Sequence, residues 1–98
     1  QIRLELGRGD YVLSRHAFRR VVERNIIAFE ISQAGLNAIV IEDYPGDKYS
    51  PSCLLLGFTE SGRPLHIQVS RKEVELTRIV TIYQPDPDEW QADFTARR

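Results

Sequence analysis

The sequence predicts an α+β domain in which two N-terminal helices pack on a four-stranded antiparallel sheet. Three observations predict this class. Apolar residues recur at helical spacing in the first third of the chain, β-branched segments follow from residue 38, and turn residues separate those segments. Because helices and strands come in separate blocks, we expect antiparallel pairing, with the helices covering one face of the sheet.

The length and composition describe one globular domain. The chain has 98 residues, of which 42% are hydrophobic and 28% charged. No apolar run approaches the roughly 20 residues of a membrane span, and the polar N-terminus lacks the apolar core of a signal peptide. We therefore expect a soluble, cytoplasmic protein without membrane contact.

Charge and cysteine content narrow the function classes. The 13 basic and 14 acidic residues give a net charge of −1, which argues against a broad nucleic-acid surface but allows a local basic patch. Cys53 is the single cysteine, so an internal disulfide is excluded, and no Cys or His pair has zinc spacing. The sequence predicts neither a metal nor a cofactor.

The strongest helix signal begins at Ser14, which is a good N-cap. His16, Arg20 and Arg24 follow at i, i+4 and i+8, so they form one stripe along the border of the helix. Such a stripe suits a phosphate or a nucleic-acid backbone, although arginines also commonly form the solvated flank of an amphipathic helix. The apolar face of the same helix comprises Ala17, Phe18, Val21 and Val22.

The remaining elements follow in chain order. Residues 1–8 alternate weakly and predict a short strand or arm. A second helix is predicted over residues 28–34, with Asn25 as its cap and Gly35 or Asn37 as its left-handed stop. The sheet segments are strands at 38–42, 52–59, 63–70 and 77–83, joined by a loop at 43–51, a tight turn at 60–62 and a charged connection at 71–76. The single domain therefore divides into a helical part (11–36), a sheet (38–84) and a tail (85–98).

A second group of polar side chains is predicted on one face of the sheet. Alternation places His66 and Gln68 opposite the apolar residues of their strand, and Thr81 and Tyr83 join them if the last strand pairs with this one. This open face is either a functional site or the ordinary solvent-exposed face of an antiparallel sheet.

The tail begins with two prolines and is rich in acidic residues. Asp86, Asp88 and Glu89 supply oxygen ligands, but the prolines and a helix cap at Asp88 explain them without a metal ion. Trp90 and Phe94 lie four residues apart, so we expect them to dock a short terminal helix onto the domain.

Three motifs together resemble a known bacterial family. They are Ser-x-His-Ala-x-x-Arg-x-x-x-Arg-x-Ile at 14–26, Gly-Arg-Pro-Leu-His-Ile-Gln-Val at 62–69, and Val-Thr-Ile-Tyr at 80–83 with Pro-Asp and Trp behind it. The family is one of unknown function, similar in fold to the RelE and BrnT ribonuclease toxins of type II toxin-antitoxin systems. One departure is Ile27, where the family tends to have a small capping hydroxyl, which bears on the start of the second helix.

The resemblance implies a toxin that cuts RNA without a metal and is held by an antitoxin protein, with DNA contacted only through that antitoxin. Metal-free cleavage needs a base, an acid and cations around the phosphate. On this interpretation the candidate catalytic residues are His16, Arg20, Arg24, His66 and Tyr83. The candidate RNA-binding residues are Arg63 and, brought onto the domain by the docked tail, Arg97 and Arg98.

Two alternatives come from other classes. In a non-catalytic binding or regulatory module, the arginine stripe would pair with an acidic protein partner. In a structural subunit, the apolar strand at 54–56 would form a dimer if it lay at a sheet edge. The toxin interpretation predicts a concave patch joining a histidine to at least two arginines, whereas the binding module predicts an apolar groove flanked by cations, with the histidines apart.

Overall fold

The part of the chain that the structure describes folds into three helices and a five-stranded mixed sheet, so the predicted α+β class is confirmed, whereas the predicted two helices and four antiparallel strands differ from it. The computed structural model describes residues 1–48, 50–70 and 76–98. The helices are α1 (Ile2–Arg8), α2 (Arg15–Glu23) and α3 (Ala28–Leu36), and the strands are β1 (Tyr11–Leu13), β2 (Ile39–Tyr44), β3 (Ser52–Phe58), β4 (Pro64–Ser70) and β5 (Thr77–Tyr83). The predicted connection at 71–76 lies almost entirely outside the described residues.

The N-terminal segment is a helix, and the prediction of a strand there was wrong. Ile2 and Leu6 alternate with polar residues, but they are also four apart, which places both on one face of a helix. Leu6 is fully buried against α3, where a Cβ at Gly35 would lie 2.4 Å from the Leu6 Cβ. Gly9 ends α1 in the left-handed conformation with φ 81°. Tertiary packing against α3 therefore selects the helix.

The sheet has the order β1-β5-β4-β3-β2. Strands β2 to β5 form the predicted antiparallel meander, and β5 has the predicted bounds. Strand β1 was not predicted; it pairs with β5 in parallel over only three residues. Since β3 lies between β2 and β4, the strand at 54–56 is not an edge, and the dimer interpretation loses its basis.

Helices α2 and α3 meet at a turn that differs from the prediction. Ser14 caps α2 as predicted, because its hydroxyl accepts from the Ala17 amide at 3.0 Å. Asn25 is not the cap of α3 but a turn residue with φ 52°. The N-cap of α3 is Ile27, whose amide donates to the Glu30 carboxylate at 3.1 Å, so a side chain three residues later satisfies this backbone group.

The core lies between the helices and one face of the sheet. Gly57 allows the closest approach, since a Cβ there would lie 2.0 Å from the Ala34 carbonyl oxygen of α3. The buried core residues are Leu6, Ala17, Ile26, Ile31, Ala34, Ala38, Cys53, Leu55, Leu65, Ile67, Val69, Ile79 and Ile82. In the part of the chain that is described, no helix combines the length and apolar character needed to cross a membrane.

The C-terminal tail covers the other face of the sheet, which was expected to be open. Trp90 is 1% exposed and packs edge-on against the His66 ring, with ring centroids 4.3 Å apart. Docking by Trp90 is thus as predicted, but the tail forms turns and a Trp90–Arg97 bridge instead of a terminal helix. Asp88 does not cap a helix as predicted. Instead, the Asp86 carboxylate accepts a hydrogen bond from the Asp88 amide at 2.8 Å.

Candidate functional site

A cleft of about 390 Å³ lies beside the last strand, where α2 and the tail approach each other. Strand β1 pairs with β5 only as far as Ile79, so beyond this point no described strand covers that edge. At this edge, α2 on one face of the sheet and the tail on the other face can both line the same cleft. The cleft is lined by His16, Arg20, Arg24, Thr81, Tyr83, Gln84, Asp86 and Glu89.

One wall of the cleft is the predicted stripe of α2. The helix is fixed to β5 at its first turn, because the Ser14 hydroxyl, besides capping α2, donates to the Val80 carbonyl at 2.8 Å. His16, Arg20 and Arg24 then project along the cleft at successive helical turns. Within the stripe, Arg20 forms an ion pair with Glu23 at 3.2 Å. This pair lies on the exposed surface, where ion pairs contribute little to stability.

The opposite wall comes from the end of β5 and from the tail. Tyr83 is half-buried, and burial is the main reason why its pKa is raised, with the Arg97 charge opposing and Glu42 and Glu89 adding to the shift. Asp86 and Glu89 complete this wall. Within the described residues no ion pair joins either carboxylate to Arg20 or Arg24, so the two charged walls face each other across open space.

His66 lies directly behind Tyr83 and does not reach the cleft. It is fully buried, its Nδ1 lies 3.2 Å from the Tyr83 hydroxyl, and its Nε2 lies 2.9 Å from the Phe94 carbonyl oxygen. Burial lowers its pKa most, while the Phe94 carbonyl and Glu42 raise it. The predicted face assignment is confirmed, because His66 pairs with Tyr83 across the sheet, but this imidazole cannot touch a ligand in the cleft.

Arg63, predicted to bind RNA, is engaged with the protein itself. Its guanidinium donates to the Glu30 carboxylate at 3.0 Å, to the backbone carbonyls of Arg24 and Asn25 at 2.9 and 3.2 Å, and to the Gln84 side chain at 2.8 Å. Since an arginine has five N–H groups, at most one remains for a ligand. Arg63 therefore ties the turn after α2 to the end of β5, behind the cleft.

The two C-terminal arginines lie away from the cleft. Arg97 stacks on Trp90, with its guanidinium carbon 4.5 Å from the ring centroid, and pairs with Glu42 on β2 at 3.2 Å. Its pKa is raised by the hydrogen bond to Glu42, which in turn has its own pKa lowered, first by a hydrogen bond from Tyr44. Burial, followed by Glu42, raises the pKa of Tyr44 to about 12. Arg98 donates to backbone carbonyls of its own tail.

The structure thus brings together four of the five predicted catalytic residues and adds four others. Thr81 was assigned to the correct face, but Gln84, Asp86 and Glu89 were not predicted as site residues. Gln84 directly follows Tyr83 in the sequence, at the end of β5, but only the fold of the tail could place Asp86 and Glu89. No group of three His, Cys, Asp or Glu side chains among the described residues is arranged to hold a metal ion.

Comparison with known protein families finds a family model that matches most of the chain. A family described as a domain of unknown function, DUF4258, matches residues 13–84, well over half of the chain. The chain belongs to the DUF4258 family. The match spans α2 to β5, including the arginine stripe and Tyr83, whereas α1 and the tail lie outside it. No curated protein and no solved structure matches the chain. The family description names no activity, so the resemblance to RelE and BrnT toxins stays a prediction.

Proposed function

We propose that this DUF4258 protein is an endoribonuclease that needs no metal ion and acts as the toxin of a type II toxin-antitoxin system. The observation that carries the proposal is the cleft at the open edge of β5, which places His16 and two arginines opposite a tyrosine. This is the concave patch of histidine and arginines that the toxin interpretation requires.

The chemistry of RNA cleavage assigns a role to each of these side chains. The 2′-hydroxyl must lose a proton, the leaving 5′-oxygen must gain one, and the charge growing on the phosphate must be stabilised. Arg20 and Arg24 would hold the phosphate, because guanidinium groups bind its oxygens in pairs. His16, which stands one turn away, would take the proton of the 2′-hydroxyl as the general base and then give that proton to the leaving 5′-oxygen. Tyr83 would contact the 2′-hydroxyl.

The charges around the cleft favour a short single-stranded segment. With a net charge of −1, the protein attracts no long polyanion as a whole, so binding would depend on the local arginine pair. Asp86 and Glu89 on the facing wall would repel a second phosphate, while their oxygens could accept from the amino groups of an unstacked base. Duplex RNA cannot place a phosphate against one wall and a free base edge against the other, because its bases are paired and stacked.

Induced expression in a bacterial host tests the proposal. Growth and total RNA integrity are followed for wild type, His16→Ala and Arg20→Ala at equal soluble protein. Arg19→Ala is the matched control, because Arg19 is exposed on the same helix and does not line the cleft. We expect wild type and the control to arrest growth and cut RNA, and the other two variants to do neither. Harmless wild type with intact RNA would remove the support for a toxin.

The second candidate is a binding module for an acidic protein segment, and a separate groove favours it. This groove, of about 460 Å³, lies between α1 and the edge strand β2, and Arg3 stands at its side. Ile39 and Val40 in its wall are more than half exposed. Binding of an acidic, leucine-rich peptide that is lost in Val40→Asp, in a protein that leaves RNA intact, would favour this function.

A further inference from the structure

A chain of two hydrogen bonds runs from the tail through the sheet to the cleft. The Phe94 carbonyl oxygen lies 2.9 Å from Nε2 of His66, and Nδ1 of the same ring lies 3.2 Å from the Tyr83 hydroxyl. His66 is fully buried, so these are its polar partners within the described residues. Tyr83, at the end of this chain, is one of the residues that line the cleft.

The chemistry of the three groups fixes the direction of both bonds. A carbonyl oxygen only accepts, so Nε2 of His66 must carry the proton. In a neutral imidazole the other nitrogen is then an acceptor, and the Tyr83 hydroxyl must donate to it. The opposite tautomer would place the lone pair of Nε2 against the lone pairs of the Phe94 oxygen. Burial, which lowers the pKa of His66, also favours the neutral ring.

We propose that His66 is a positioning residue, which turns the Tyr83 hydroxyl proton into the protein so that the oxygen lone pairs of Tyr83 face the cleft. Tyr83 then accepts a hydrogen bond from a ligand hydroxyl and favours a ligand that carries one. The identity of that hydroxyl as the 2′-hydroxyl of RNA rests on the proposed function. His66 acts only through Tyr83, because it has no surface in the cleft.

The tail supplies the acceptor that sets this orientation. Phe94 has φ 63°, a left-handed conformation that is costly for a bulky side chain and persists only where neighbouring contacts hold it. The Phe94 amide donates to the Gln91 carbonyl at 2.8 Å, the Phe94 carbonyl oxygen lies 2.9 Å from Nε2 of His66, and Trp90 of the same tail packs edge-on against the His66 ring. The segment outside the matched family region thereby controls the proton of a tyrosine inside it.

Nuclear magnetic resonance of the free protein tests the orientation without any ligand. With ¹⁵N-labelled histidine, only His16 and His66 contribute ring signals, and His16→Ala assigns them. We expect His66 at neutral pH to have a protonated Nε2 and an unprotonated Nδ1. A protonated Nδ1 with an unprotonated Nε2, or rapid exchange between the two tautomers, would overturn the proposal.

Binding of a ribo-trinucleotide and of its 2′-deoxy analogue tests the consequence, each binding constant being measured by calorimetry. In all of these proteins, including the one that is wild type at position 66, His16 is replaced by alanine so that the ribo form is not cut. His66→Asn keeps an acceptor near the position of Nδ1, whereas His66→Phe fills the space without one. Wild type and His66→Asn should bind the ribo form about fivefold more tightly than the deoxy form, the ratio expected for one net hydrogen bond. His66→Phe should show a smaller preference, because its Tyr83 hydroxyl has no fixed acceptor inside the protein and rotates freely. Equal preference in all three folded proteins would overturn the proposal. If wild type binds neither oligonucleotide, the ribonuclease proposal fails, and the tautomer measurement decides the orientation of Tyr83.

Discussion

Replacing Arg63 with alanine separates a structural role from a role in RNA binding. In the structure the guanidinium holds together the turn after α2, the first turn of α3 and the end of β5 through four partners: Arg24, Asn25, Glu30 and Gln84. Arg63→Ala removes all four contacts at once. It also leaves the Glu30 carboxylate without its cation, although the Ile27 amide still donates to it.

The contacts give the size of the effect. The side chains of the Arg63–Glu30 pair are 22% and 18% exposed, so the pair lies between a surface pair, which contributes about 0–1 kcal/mol, and a buried pair, whose disruption costs about 3–5 kcal/mol. The freed carbonyls of Arg24 and Asn25 become accessible to water, which limits their penalty. We therefore expect a loss of about 2–4 kcal/mol in the free energy of unfolding for Arg63→Ala, and a smaller loss for Arg63→Lys, which keeps the charge but not the fork.

Urea unfolding followed by the fluorescence of Trp90, the only tryptophan, measures both variants. RNA affinity of the folded protein is measured beside it. A change below about 0.5 kcal/mol in Arg63→Ala, together with a large loss of RNA affinity, would refute the structural role, since that is the size expected for a surface residue. Arg63 would then bind RNA, as the sequence resemblance implied.

Three other predictions follow from the fold and the cleft. Gly57→Ala should cost about 2–3 kcal/mol in urea unfolding, because the new methyl meets the backbone of α3; Gly46→Ala, which meets nothing within 4 Å, is the control and should change little. Because burial lowers the pKa of His66, its contribution to stability should be complete above the ordinary histidine pKa of about 6.5 and be lost as the pH falls through the folded-state value. Unfolding at several pH values should show this slope in wild type and not in His66→Asn. If Arg20 and Arg24 together neutralise one phosphate, the logarithm of the binding constant for single-stranded RNA should fall with the logarithm of salt concentration with a slope of about −0.7, and the double variant Arg20→Ala/Arg24→Ala should remove this dependence. An unchanged slope in the double variant would contradict phosphate binding.

The sequence predicted the parts of the molecule that depend on local spacing. The Ser14 cap and the helical period identified α2, and the same period put His16, Arg20 and Arg24 in one stripe that does line the cleft. The bounds of β5 were likewise clear from its run of β-branched residues.

The errors arose where a distant part of the chain decides the structure. Three alternating apolar residues in α1 fit a strand or a helix equally well, and only packing of Leu6 against α3 selects the helix. Strand β1 is too short to give a periodic signal and exists because β5 has a free edge. The His66 face appeared open because no local pattern indicated that Trp90 would fold back over it. Two of the four residues predicted for the apolar face of α2, Phe18 and Val22, are exposed and lie outside the core.

Cleavage of a labelled single-stranded RNA by the purified protein in excess chelator tests the central claim most directly. If the cleft is an active site that uses no metal ion, wild type and Arg19→Ala should cut the RNA and leave 2′,3′-cyclic phosphate ends. Arg20→Ala and Arg24→Ala should each be slower by about a hundredfold, as for the loss of one group that stabilises a transition-state charge. Intact RNA after prolonged incubation with the folded wild type, or equal loss of activity in Arg19→Ala and Arg20→Ala, would contradict the claim.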